Sequence, residues 1–276
     1  MASSAADNYL LGRDKTEADR LRDQHHITLR NLGYAIHPRI QAQLPPNARV
    51  ADVATGTGVW ALHVAQVLPN TTDIVAFDIS PAQFPSTKPH NVTFTVADAK
   101  KPFPQVHHGT FDLVHIRALI AAMQTPDWET VMRNVVQLLK PEGFVMWGEG
   151  DLSRLRCLRS SEEYVSFSTL PKLLRTFEAA MRARTSDGIT RLSEAAEAQL
   201  ENVEMDVTST DRLWDTRVPF TRMVVTGMLA WAEHSKAWPP EELEEMRKGV
   251  ASDLDNGAYI RADVLVLIGQ RPQDLV

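Results

Sequence analysis

A single cysteine, Cys157, in 276 residues leaves the chain without an internal disulfide and without a cysteine-built zinc cluster. No apolar run approaches the roughly 18 residues that a membrane span needs, and the N-terminus shows no signal-peptide core. A cytoplasmic protein that does not engage a membrane is therefore expected. Basic tracts are missing as well. Lys and Arg number 29 against 35 Asp and Glu, a net charge of −6, which disfavours a nucleic-acid substrate. No internal repeat or low-complexity linker marks off a separate second domain. The length is nevertheless enough to bury a sizeable core.

What is present centres on residues 50–60, Val-Ala-Asp-Val-Ala-Thr-Gly-Thr-Gly-Val-Trp. Arg49 to Val53 reads as a buried strand, Gly56 and Gly58 as a turn, and Val59 to Leu68 as a helix. Glycines suit such a turn because they tolerate positive φ and let a ligand approach the backbone. Strand, glycine turn and helix together mark a nucleotide-type site in an open α/β sheet. Gly56-x-Gly58-x-x-Ala61 fits a dinucleotide fingerprint, with Asp78 placed 20 residues after Gly58 for a ribose hydroxyl. Asp52 argues against a dinucleotide, since a carboxylate at the mouth of the turn repels a pyrophosphate in low dielectric. S-adenosylmethionine has no phosphate and carries an ammonium and a sulfonium, so Asp52 favours it.

The chain resembles the class I S-adenosylmethionine-dependent methyltransferases and is similar to the fungal small-molecule methyltransferases of secondary metabolism. The residues that carry the resemblance are Asp52-Val-Ala-Thr-Gly-Thr-Gly58, Phe77-Asp78-Ile79-Ser80, Ala97-Asp98-Ala99, Phe111-Asp112-Leu113-Val114-His115-Ile116-Arg117 and Leu139-Lys-Pro-Glu-Gly-Phe144. They cover residues 48–150, and the segment from Tyr9 to Gln24 extends the match. The resemblance implies an α/β fold: a Rossmann-like, mostly parallel seven-stranded sheet with helices on both faces, helical lid insertions and an N-terminal helical cap. It also implies a cofactor site of Asp52, Ala54, Thr55, Gly56, Gly58, Asp78, Ile79, Asp98, Ala99 and His115, with Tyr9 and Arg13 from the cap. Asp78 would receive the ribose hydroxyls, Asp98 the adenine amino group, and Arg13 the methionyl carboxylate. Ala54 departs from the pattern, standing where many relatives have glycine; its methyl is tolerable if φ is negative.

Along the chain, Thr16 to Leu32 carries a helical apolar stripe with Thr16 as N-cap and Gly33 as stop. His25 and His26 do not suggest a metal site, because adjacent helix residues do not face each other. Strands are expected at 74–77, 92–96, 111–116, 144–147, 203–208 and 260–269, and helices at 161–184, 189–200 and 240–254. Pro81 to Pro89 reads as a loop. Residues 1–44 are taken as the cap and 45–276 as the methyltransferase domain, with helical insertions at 153–185 and 217–255. Met228 and Trp231 in the second insertion suggest an adaptable apolar lid, although such spacing also describes core. Glu149 and Asp151 could hold a polar group of a substrate or belong to a solvated loop.

Methyl transfer needs alignment more than it needs a base. His115, near the cleft end of its strand, is the candidate catalytic base; packing or cofactor contact is its other reading. O-methylation of an apolar small-molecule acceptor is favoured, yielding S-adenosylhomocysteine without a metal. Other readings stay open: a nicotinamide oxidoreductase, a non-methylating relative catalysing cyclisation or isomerisation, and a methyltransferase-like regulatory partner. A homodimer is neither required nor excluded.

Overall fold

The computed structural model describes residues 13–152, 154–185 and 187–273. The elements run α1 (Lys15–Leu32), α2 (Pro38–Gln41), β1 (Arg49–Val53), α3 (Val59–Val67), β2 (Asp73–Asp78), β3 (Val92–Val96), β4 (Phe111–Arg117), α4 (Asp127–Leu138) and β5 (Leu139–Gly150). There follow β6 (Arg156–Arg159), α5 (Thr169–Thr185), α6 (Gly188–Glu197), β7 (Glu201–Ser209), α7 (Arg217–His234), α8 (Pro240–Asp255), β8 (Ala258–Arg261) and β9 (Asp263–Gln270). Seven strands form one sheet in the order β3-β2-β1-β4-β5-β9-β7, and β6 and β8 pair as a separate ribbon. The first five strands are mutually parallel, while β9 runs antiparallel to both its neighbours. The sheet is the Rossmann-like α/β architecture expected from the sequence.

Both faces of the sheet are apolar, which explains why its strands read as near-continuous hydrophobic runs. Alternate residues go to opposite sides. Val50, Ile74, Ala76 and Leu113 pack with Trp60 and Val64 of α3 and with Ile36 and Ile40 beside and within α2. Ala51, Val75, Phe77, Val114 and Ile116 pack with Val131, Val135 and Leu138 of α4 and Leu192 of α6. Each fully buried aliphatic side chain contributes roughly 1.5–3 kcal/mol. The order of strands reverses at β1, with β2 on one side and β4 on the other. A crevice opens at that switch point, beyond the carboxyl ends of the strands.

A third apolar cluster belongs to α5, α7, α8 and β8, including Leu173, Phe177, Met228, Trp231, Leu243, Met246 and Ile260. The Trp231 and Phe177 rings meet edge to face at 5.2 Å. Met228 and Trp231, expected to present an apolar lid to a substrate, are instead 1% and 6% exposed inside this layer.

Several boundaries differ from expectation for local reasons. Asp14 rather than Thr16 caps α1, its carboxylate accepting from Glu17 N at 2.9 Å, while Gly33 ends the helix at φ 84°. α5 begins only at Thr169, because Asp253 of α8 accepts from the N–H groups of Thr169 and Leu170. The last apolar stretch is broken at Ala262 into β8 and β9. Ala262 exchanges hydrogen bonds with Thr210, through its N–H to the hydroxyl and its carbonyl from the backbone N–H. α1 lies between the sheet and α7, with Arg20 held by Glu17 and resting on Met223. No helix among the described residues is long and apolar enough to cross a membrane.

Candidate active site

The crevice is a cleft of about 970 Å3. β1 brings Asp52 to it, and the β1–α3 turn brings Ala54, Thr55 and Gly56. β2 and β3 contribute Asp78, Ile79, Val96 and Asp98, with Ala99 following. β4 contributes His115 and Arg117, and α1 roofs the cleft with Leu21 and Gln24. Arg13 also lines it, whereas Tyr9 lies outside the described residues.

Parallel pairing sets Asp52 directly opposite His115. His115 Nδ1–H donates to Asp52 Oδ1 at 2.7 Å, and Thr55 Oγ1 donates to Asp52 Oδ2. The imidazole stacks on Trp60 at 3.7 Å with the planes 8° apart, and Trp60 Nε1 donates to Ala35 O at 2.9 Å. Asp52 and His115 are each 2% exposed. Burial pushes the His115 pKa down, although its contact with Asp52 opposes the shift. The ring is therefore neutral near neutral pH, with Nδ1–H committed to Asp52 and Nε2 left as the proton acceptor.

Asp78 is tied into the glycine turn. Its Oδ2 accepts from Gly56 N at 2.8 Å and its Oδ1 from Ser80 N at 3.0 Å. Burial raises its pKa from the ordinary aspartate value; the two N–H groups and Arg13 act the other way. Asp98 accepts from Lys100 N at 3.0 Å and pairs with Lys101 at 3.5 Å, so it does brace its own turn. Between these acids, Ile79 and Val96 are 42% and 55% exposed. Large apolar side chains left open beside two carboxylates suit a flat ring with polar edges.

The two outer members of the turn differ from the simple loop pattern. Ala54 has φ 57°, in the left-handed region, not the negative φ on which tolerance of its methyl was premised. An L-residue there carries roughly 1–2 kcal/mol of strain. Ala54→Gly is therefore expected to raise stability by about 0.5–1 kcal/mol after the entropy of the more flexible unfolded chain is subtracted. A urea midpoint unchanged or lowered would contradict this. Gly58 does not line the cleft. Its φ is 73°, and a Cβ there would fall 2.5 Å from the Phe94 ring, so this glycine makes room for packing behind the turn.

The family model described as a methyltransferase domain matches residues 50–143. The chain is 25% identical to the methyltransferase grgD of a Penicillium species, over 95% of this chain and 96% of grgD. It is 27% identical to the methyltransferase pytC of Aspergillus terreus, over 97% of this chain and 84% of pytC. Over about half of each chain, it is 37% identical to the N-methyltransferase sirN of Leptosphaeria maculans. Residues 50–143 are a methyltransferase domain of the S-adenosylmethionine-dependent kind. The cofactor is S-adenosylmethionine. The carboxylates, exposed apolar residues and turn just described form a donor set compatible with a phosphate-free nucleoside.

Other polar residues of the methyltransferase fall elsewhere. Glu149 and Asp151 are 1% and 8% exposed, so they form no solvated loop, and neither lines the main cleft. Glu149 accepts from Leu119 N and Trp147 Nε1, both at 2.8 Å, and Asp151 borders a separate small cavity of about 130 Å3. Trp128 is 1% exposed in the core. Asp112 faces the far end of the sheet, accepting from Arg49 N and pairing with Lys140. His25 is buried and His26 exposed, as neighbours on a helix diverge. Leu21, Gln24, Trp60 and Val96 also line the cleft, with no signal in the sequence that places them there. Their periodicity marks elements but not which face meets the crevice.

Proposed function

We propose that this methyltransferase methylates an oxygen of an apolar small molecule of the secondary-metabolite kind. The observation that carries the reading is the Asp52–His115 pair in the wall of the same cleft that gathers Asp78, Asp98 and the glycine turn. Asp78 would hold the ribose hydroxyls and Asp98 the adenine amino group, with Ile79 and Val96 against the ring and Ala99 beside it. Asp52, Ala54, Thr55 and Gly56 would border the methionyl end, Gly58 would shape the turn from behind, and Arg13 would close the Asp78 side. When bound, the cofactor supplies a methyl group on a cationic sulfur, which needs an aligned nucleophile. His115 Nε2 takes the proton of the acceptor hydroxyl, and Asp52 keeps the imidazole oriented and stabilises the charge it acquires.

His115→Gln is expected to lower kcat by about 10²–10⁴-fold while leaving the dissociation constant of S-adenosylhomocysteine nearly unchanged. Calorimetry and labelled-donor turnover on a metabolite extract measure the two effects, and unaltered kcat would remove His115 from the chemistry. Similarity to sirN, named an N-methyltransferase, supports nitrogen as the alternative acceptor atom. Mass analysis with fragmentation of the labelled product separates the two, and a product without the label would favour a non-methylating reaction.

A further inference from the structure

Arg117 ends β4, two residues past His115 and on the same face of the sheet. Its stem runs beside Gly148 of β5, whose missing side chain leaves room; a Cβ there would stand 3.5 Å from Arg117 Cγ. Arg117 Nη2 donates to His25 Nδ1 at 3.0 Å. That is its one hydrogen bond to the described residues, and no carboxylate among them lies within ion-pairing distance of it. A guanidinium has five N–H donors, so the others are left toward the cleft that Arg117 lines.

The surroundings do not neutralise this cation. His25 is fully buried, and burial together with the Arg117 charge drives its pKa down to about 2, so it accepts a hydrogen bond as a neutral ring. His63 lies edge-on to His25 at 5.2 Å and is shifted the same way, chiefly by burial. Asp52 is near enough to favour the charged guanidinium, but its two oxygens already hold His115 and Thr55. Arg117 remains cationic even though burial lowers its pKa to about 10. A half-buried guanidinium whose nearby carboxylate is already engaged gains from a ligand that supplies a further one.

We infer that Arg117, steadied by His25, anchors a carboxylate of the acceptor, making the substrate an organic acid whose hydroxyl is presented to His115. This rests on the methyl-transfer reading of the cleft. Arg117 sits two residues past His115 on β4, with its stem against Gly148 of β5, and β1 separates this strand from β2 and β3, which bring Asp78, Ile79 and Asp98. An apolar body with one acidic group fits a cleft that also offers Leu21, Leu119 and Ala122. Planar two-point pairing is what a guanidinium supplies to a carboxylate.

The test uses the full chain saturated with S-adenosylhomocysteine and a pool of aromatic and aliphatic hydroxy acids, each beside its methyl ester. Ligand-observed NMR should show the acids binding to the parent protein in preference to the esters. In Arg117→Gln, acid binding should weaken by at least about tenfold, with Arg117→Lys intermediate. The dissociation constant of S-adenosylhomocysteine, measured by calorimetry, should stay within about twofold in both variants, which also reports that they fold. Equal binding of acids and esters, or no binding of any acid, overturns the inference. So does a loss of S-adenosylhomocysteine affinity in Arg117→Gln, which would assign the anion to the cofactor's own carboxylate. A parent protein that fails to bind S-adenosylhomocysteine would instead bring down the reading of the cleft itself.

Discussion

Replacing Asp78 with alanine is expected to weaken S-adenosylhomocysteine binding roughly 5- to 150-fold, equivalent to about 1–3 kcal/mol. Two effects combine. The substitution removes the acceptor proposed for the ribose hydroxyls, and it leaves the N–H groups of Gly56 and Ser80 without the carboxylate that now receives them. The second effect acts without ligand, so Tm should fall by roughly 2–10 °C for a chain of this size. Asp78→Asn retains an acceptor for one N–H and should recover part of the stability but less of the affinity. Calorimetry and thermal unfolding together decide the assignment. A lowered Tm with an unaltered dissociation constant would mean that Asp78 only braces the turn.

The second large effect lies behind the cleft, at Glu149. Burial raises its pKa from the ordinary glutamate value to about 7, despite donors from Trp147 and Leu119, and its Oε2 has no hydrogen-bond partner. A raised carboxyl pKa means that the native state binds this proton more tightly than the unfolded chain does. The stabilisation is complete below the unfolded pKa near 4.5, declines as pH rises toward about 7, and is gone above that. The difference between the two states corresponds to about 3 kcal/mol. Glu149→Gln cannot ionise and keeps an acceptor for both donors. Its stability relative to the parent should therefore rise between pH 5 and pH 8, making it the more stable protein at pH 8. Urea midpoints at both values measure this, and parallel curves for the two proteins would refute it.

The strands of the sheet's parallel half were legible because their two-sided burial writes itself as short apolar runs bounded by turn residues. Gly33 as the stop of α1 and the loop after Asp78 were likewise readable from local chemistry. The Asp52–His115 contact was not, since it depends on which residues of β1 and β4 stand opposite each other, and nothing local states that register. Asp52 was read as a charge offered directly to the cofactor; it is also the residue that holds His115 and Thr55 in place. The left-handed Ala54 could not be read from a residue type that ordinarily avoids positive φ. Glu149, flanked by glycines, reads equally as a substrate contact or as part of a solvated loop, yet β5 continues through it into the interior. The β6–β8 ribbon joins segments about 100 residues apart, too far for periodicity to connect.

The apolar cluster of α5, α7 and α8 is a nucleus apart from the two that sandwich the sheet. Its buried side chains pack on one another and include none from the strands that carry Asp52, Asp78 and His115. A chain built this way can be re-tooled on its outer storey while the nucleoside end stands unaltered on its foundations.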